Sequence, residues 1–182
     1  MRDPSEAWAL LRDADLICGA DEVSSAIRGM AEKITADLAQ SYPLVLAVMG
    51  GAVVFAGQLL PLLRFPLDFD YIHVTRYGPS IVGAQVDWRV PPPASVKGRT
   101  VLVLDDILDG GNTMAAIQER ILCLGAVSFH CAVLTEKTFS GTKPITADYV
   151  GLRLPNRFVF GCGMDARGYW RNLPEIYALK GE

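Results

Sequence analysis

With 182 residues, 51% of them hydrophobic and 20% charged, the chain has the size of one domain and enough apolar side chains to bury on the order of 70% of its unfolded surface, which excludes general disorder. A net charge of −3 and a pI near 5.4 offer no overall attraction to a phosphate backbone, so sequence-independent nucleic-acid binding is not expected. Cys18, Cys123, Cys131 and Cys162 form no CxxC pair and have only His73 and His130 to join them. Free thiols in a reducing cytoplasm are expected, without a zinc centre.

The chain opens MRDPSEAW, charged at once and unlike a secretory segment. Pro4-Ser5 then starts a helix over residues 6–16, and Val23, Ile27, Met30, Ile34 and Leu38 lie at helical spacing within residues 21–40. This helical region, residues 1–41, is expected to cover one face of a sheet. Residues 41–63 carry no charge and are long enough to cross a bilayer, but Gly50-Gly51 interrupts them and Pro61 lies near their end. They read instead as a buried strand over residues 44–49, a glycine turn and a helix over residues 52–63. An alternating strand follows from Leu67, and residues 76–98, with three prolines at 91–93, suit a mobile flap or a plain surface connection.

Residues 100–106 (TVLVLDD) are a strand ending in acids, ILDGGNT is a loop, and Ile117, Ile121 and Leu124 share one face of the next helix. A further buried strand spans residues 127–134. Such alternation predicts an α/β fold with a predominantly parallel, twisted sheet flanked by helices. Short strands near residues 149–152, 158–160 and 176–179 are expected to form a small hood over residues 148–182, so that residues 1–182 make one domain.

Ligands of open parallel sheets sit beyond the carboxyl ends of the strands, which directs attention to the loops after Met49, Asp105 and Leu134. Gly110, Gly111, Asn112 and Thr113 before a helix expose backbone N–H groups and a hydroxyl suited to a phosphate monoester. Asp105 and Asp106 suit paired hydroxyls, or Mg²⁺ held through water. A sugar phosphate satisfies both halves. The bland reading is a strand end followed by a turn and an Asn112 helix cap. Neither GxGxxG after a strand nor GxxxxGK[ST] is present.

The string LVLDDILDGGNT resembles the phosphoribosyl pyrophosphate signature of the type I phosphoribosyltransferases, and residues 44–179 resemble the hypoxanthine-guanine phosphoribosyltransferases. The likeness also runs through Met49-Gly50-Gly51, Arg76-Tyr77-Gly78, residues 134–138, Asp148-Tyr149-Val150-Gly151, residues 157–161, Asp165 and residues 169–174. It implies purine salvage: transfer of a phosphoribosyl group to N9 of hypoxanthine, guanine or xanthine, with Mg²⁺ as cofactor and pyrophosphate as leaving group.

By that resemblance Asp109 is the general base near purine N7, and Asp105, Asp106 and residues 109–113 hold the ribose and its 5′-phosphate. Met49, Gly50, Gly51 and Arg171 face the pyrophosphate, where the family has a strained, often cis, peptide. Lys137, Phe158, Val159 and Asp165 contact the purine, while Asp105, Asp106 and Asp165 attend the metal. Arg76, Tyr77 and Gly78 begin the lid. Read alone, each is ordinary: Gly50-Gly51 a turn, Lys137 a solvated charge, FVF core, and Arg171 a surface partner of a tryptophan.

Three positions depart from the family pattern. Met49 stands where a basic residue is common, Gly110 where Thr is common, and Arg76 where Ser is common, so Arg76 is a candidate to compensate for Met49. The resemblance further implies a homodimer or homotetramer. The alternative is a regulator of the same fold that binds nucleotide and RNA or DNA, which would need a basic face or an added domain.

Overall fold

A computed structural model describes residues 3–76, 86–138 and 141–181, and of Arg76 the backbone alone. The elements in chain order are α1 (Pro4–Arg12), β1 (Asp15–Cys18), α2 (Ala20–Leu38), β2 (Leu44–Met49), α3 (Val53–Leu59), β3 (Asp68–Arg76), β4 (Val86–Val90), β5 (Thr100–Leu108), α4 (Asn112–Cys123), β6 (Ser128–Lys137), β7 (Tyr149–Leu154), β8 (Val159–Phe160) and β9 (Ile176–Ala178). Six strands form one sheet in the order β4-β3-β2-β5-β6-β7, and β1-β9-β8 form a second, smaller one. Neighbours from β3 through β7 pair in parallel and only β4 is antiparallel, so the expected sheet is present.

The apolar runs of β2 and β5 make sense because both faces of the sheet are covered. Val45, Ala47, Leu102 and Leu104 point into one core with Ile27, Ile34 and Phe55 of α2 and α3, while Leu46, Val48, Val101 and Val103 point into the other with Ile117 and Ile121 of α4. Leu102 is fully buried, and truncating it to Ala would cost about 2–5 kcal/mol. Among the described residues no helix is long and apolar enough to cross a membrane. The uncharged stretch 41–63 is β2, α3 and a 3-10 turn over Leu60–Leu62, tightened where Pro61 lacks an N–H.

Several boundaries move from their expected places. The helix expected over residues 6–16 ends at Arg12, because Asp15–Cys18 is a strand that pairs antiparallel with β9. The hood is therefore built from both ends of the chain, and α1 packs on it: Leu10 and Leu11 meet Phe160 and Leu179 instead of the main sheet. Tyr149–Leu154, expected in the hood, is the parallel edge strand of the main sheet beside β6. In the flap range, Val86–Val90 is β4, an edge strand on β3, and Ala94–Val96 is a 3-10 turn with Val96 buried. Residues 77–85, which hold the expected lid, lie outside the described residues.

Candidate active site

The acids of LVLDDILD sit in the strand itself. β5 continues through Leu108, because Ile107 pairs with Thr135 and Leu108 with Glu136 of β6. Asp105 and Asp106 thus lie within β5, not at its end as expected, and only Asp109 belongs to the loop. Likewise β6 runs to Lys137, which pairs with Leu154 of β7, so this lysine is a strand residue and not part of a free loop.

Asp106 is buried, at 8% exposed. Burial raises its carboxyl above the ordinary carboxylate value, opposed by hydrogen bonding with the Asp105 side chain, the Arg171 charge and backbone N–H groups. Its backbone N–H donates to Oδ1 of Asp105 at 3.0 Å, and its carbonyl accepts from the buried Thr135 hydroxyl at 2.9 Å. The carboxylate abuts the glycine loop after β2, where the Met49-Gly50 peptide is cis.

Gly111, with φ +81, is the N-cap of α4 in place of Asn112, and makes no side-chain cap hydrogen bond. The left-handed φ favours glycine at this position, and the first turn of α4 begins directly after it. A Cβ at Gly111 would touch Pro144 Cδ at 3.3 Å, so the loop after β6 backs this cradle. In front lies a cleft of about 200 Å³ lined by Val48, Asp105, Asp106, Asp109, Gly111 and Thr113. A larger cleft of about 580 Å³, lined by Arg28, Glu32, Thr35, Leu62 and Arg64, involves the later turns of α2 and carries none of these acids.

Lys137 reaches back to Asp109, with Nζ 3.4 Å from Oδ2. The hood supplies the opposite wall. Gly163 has φ +102, and a Cβ there would collide with the Gly51 carbonyl oxygen at 1.9 Å, so backbone packs on backbone where hood meets glycine loop. Arg171 donates to the Gly163 carbonyl at 2.6 Å and pairs with Oδ1 of Asp165, whose Oδ2 accepts from the Gly168 N–H at 2.6 Å. Asp165 is thereby engaged as the anchor of Arg171, and the metal-water role expected for it would compete with that pair. Phe158 is half-exposed beside β8, whereas Val159 is buried.

Among the described residues no group of three or more His, Cys, Asp or Glu is arranged to hold a metal ion by itself. The adjacent carboxylates of Asp105 and Asp106 fit a hydrated Mg²⁺, which keeps several waters and completes its shell with substrate oxygens.

Lys143 escaped sequence reading. It follows β6 in the stretch GTK, which has no periodic or motif signal, yet its ammonium meets Leu108, Glu136 and Lys137. Only the convergence of β5 and β6 reveals it.

The mostly parallel sheet with helices on both faces and a small hood beside its acidic strand is the arrangement of a type I phosphoribosyltransferase fold, and the chain belongs to the phosphoribosyl transferase domain family, which it matches over residues 19–167. It is 31% identical over 161 residues to the hypoxanthine-guanine phosphoribosyltransferase of Bacillus subtilis, covering 88% of this chain and 89% of that protein. To the bifunctional protein TilS/HprT of Listeria innocua it is 37% identical over 163 residues, covering 89% of this chain and 25% of the relative; the chain thus spans about a quarter of that relative's length. A solved hypoxanthine-guanine-xanthine phosphoribosyltransferase superposes with TM-score 0.78 at 30% identity, covering 93% of this chain and 97% of the other. A hypoxanthine phosphoribosyltransferase from Staphylococcus aureus superposes with TM-score 0.83 at 25% identity, covering 94% and 95%. The fold is that of the type I phosphoribosyltransferases.

Proposed function

We propose that this chain catalyses purine salvage: transfer of the phosphoribosyl group of phosphoribosyl pyrophosphate to N9 of a 6-oxopurine, giving the nucleoside 5′-monophosphate and pyrophosphate. The observation that carries this reading is the Lys137–Asp109 pair beside the Gly111 cradle. An ion pair of 3.4 Å with Asp109 47% exposed contributes only about 0–1 kcal/mol to stability, so its geometry is better explained by a ligand.

In the reaction the N9 lone pair forms a bond to the anomeric carbon while the bond from that carbon to the pyrophosphate oxygen breaks, its electrons leaving with pyrophosphate. Asp109 accepts the purine proton at N7. Lys137 donates to the 6-oxo group and disfavours a 6-amino group, which is itself a donor. Asp105 and Asp106 accept from the ribose hydroxyls, and the amides of residues 110–113 with the Thr113 hydroxyl receive the 5′-phosphate.

The Gly50-Gly51 backbone, Met49 and Arg171 face the pyrophosphate, while Phe158 stacks on the purine, the Val159 main chain reads its edge and Asp165 closes its two-position. Arg76, Tyr77 and Gly78 begin a lid that excludes water, with Arg76 compensating for Met49. Asp105 and Asp106 would hold Mg²⁺ through water, and when bound it neutralises charge growing on the leaving group.

The proposed enzyme is a cytoplasmic homodimer or homotetramer without a nucleic-acid partner; the exposed Val53, Phe69 and Tyr71 support self-association, and the net charge of −3 supports the lack of a nucleic-acid partner. The regulator alternative draws no support from relatives named as phosphoribosyltransferases.

The test is a Mg²⁺-dependent assay with phosphoribosyl pyrophosphate and hypoxanthine, guanine, xanthine or adenine. Turnover of at least one 6-oxopurine in preference to adenine is expected, and Asp109→Asn should lower kcat by about 10²–10⁴-fold. Absence of transfer to every 6-oxopurine would refute the reading.

A further inference from the structure

The β5–β6 ladder ends at the pair Leu108 and Glu136. Asp109 and Lys137 are the first residues past it, so no ladder bond between these two strands fixes their separation. Lys143 stands at that gap. Its Nζ donates to the Lys137 carbonyl at 2.8 Å, to the Leu108 carbonyl at 3.1 Å and to Oε1 of Glu136 at 3.4 Å. Three donors meet three acceptors, and the side chain is only 10% exposed. The lost hydration of this ammonium is replaced by those three acceptors, two of them backbone carbonyls of different strands.

Two further contacts tie this lysine to the rest of the site. A Cβ at Gly111 would lie 3.5 Å from Lys143 Cβ and 3.4 Å from Ile145 Cγ2, so the segment that carries the ammonium also braces the helix cap of the amide cradle. Glu136, the anionic acceptor, is shared with Arg153, whose side chain is 69% exposed. The buried lysine, not the exposed arginine, links the two backbones.

We propose that Lys143 is a positioning residue for phosphoribosyl transfer: by clamping the carbonyls of Leu108 and Lys137 it holds Asp109 and Lys137 at the separation that lets one accept the purine proton while the other donates to the 6-oxo group. The inference rests on the reaction proposed above and adds a residue that touches neither substrate. Its alkyl stem supports the phosphate cradle; its charge sets the spacing of the purine-facing pair.

The test compares Lys143→Met with the milder Lys143→Gln, each alone and combined with Lys137→Ala, and uses Arg153→Ala to isolate the Glu136 charge. Lys143→Met is expected to lower kcat with hypoxanthine on the order of 10- to 100-fold through misplacement of the pair, and Lys143→Gln less. The KM for phosphoribosyl pyrophosphate should stay within about twofold, as should all constants of Arg153→Ala.

In the Lys137→Ala background the loss from Lys143→Met should shrink, since residues acting through one another are not additive. Full additivity, or an Arg153→Ala loss as large as that of Lys143→Met, would overturn the proposal. Crystal structures give a readout independent of turnover: the Asp109–Lys137 pair should open in Lys143→Gln, and an unchanged pair overturns the proposal even if the wild type transfers nothing. Failure of the wild type to transfer to any 6-oxopurine would instead refute the reaction.

Discussion

A β-carbon on Gly51 would lie 2.1 Å from Oδ2 of Asp106, so the loop after β2 and the acid within β5 occupy adjoining space with no room for a side chain. Gly51→Ala must displace a buried carboxylate. Such overpacking should cost about 1–3 kcal/mol of stability, read by thermal melting, and should raise the KM for phosphoribosyl pyrophosphate as the acid turns. Wild-type values on both counts would show that the carboxylate yields without consequence.

Lys137→Ala separates chemistry from stability. The lysine ends β6 with its ammonium 3.4 Å from Asp109, a partly wet pair worth about 0–1 kcal/mol, so the melting temperature should hardly move. By the proposed donation of Lys137 to the 6-oxo group, its loss should lower kcat/KM for hypoxanthine by about 10- to 100-fold and narrow the preference over adenine. An unaltered ratio of hypoxanthine to adenine turnover would remove Lys137 from base recognition.

The cysteines divide by burial. Burial pushes the Cys131 and Cys162 thiols up to about 12 and that of Cys18 to about 11, whereas Cys123 is exposed. Between the ordinary value of 9.0 and these folded values the unfolded chain releases protons that the native state keeps, so stability falls as pH rises through that range.

The native protein should therefore show one fast thiol toward an aromatic disulfide, with the other three released by denaturant. The stability difference between wild type and Cys131→Ala should narrow as pH rises above 9.0, because the variant lacks one such thiol. Four fast thiols, or a difference constant with pH, would contradict this account.

The Trp170 indole N–H donates to the Ala7 carbonyl at 2.7 Å and its ring meets Trp8 edge-on with centroids 4.9 Å apart, so α1 braces the turn that carries Arg171. Trp170 also has φ +70, an unfavourable conformation for a bulky residue. Trp170→Phe should lose about 0.5–1.5 kcal/mol with the missing hydrogen bond and weaken pyrophosphate product inhibition. A variant as stable as wild type would mean that α1 holds nothing in place.

The parts of the fold legible in the sequence were those with a local period. The apolar runs at residues 44–49 and 100–104, the helical spacing of Val23 through Leu38, and the glycines between an acidic run and a helix each report on backbone within a few residues of themselves. They identified the parallel sheet and directed attention to the acids now found beside Gly51 and Lys137. Strand membership was less legible. Tyr149–Leu154 has the same short pattern whether it joins the hood or the main sheet, and the strand that pairs with Asp15–Cys18 is Ile176–Ala178, near the other end of the sequence.

The amino-acid order alone determined the α/β class and the grouping of acids and glycines in one string, because hydrophobic periodicity and side-chain type are properties of neighbouring residues. Only the folded chain decided that Asp106 is desolvated, that Gly163 seats on Gly51, and that Lys143 bridges Leu108 and Lys137. Those features depend on which distant segments exclude water from one another: Lys143 and Leu108 are 35 residues apart, and an ammonium becomes a clamp only when two strand ends have closed around it.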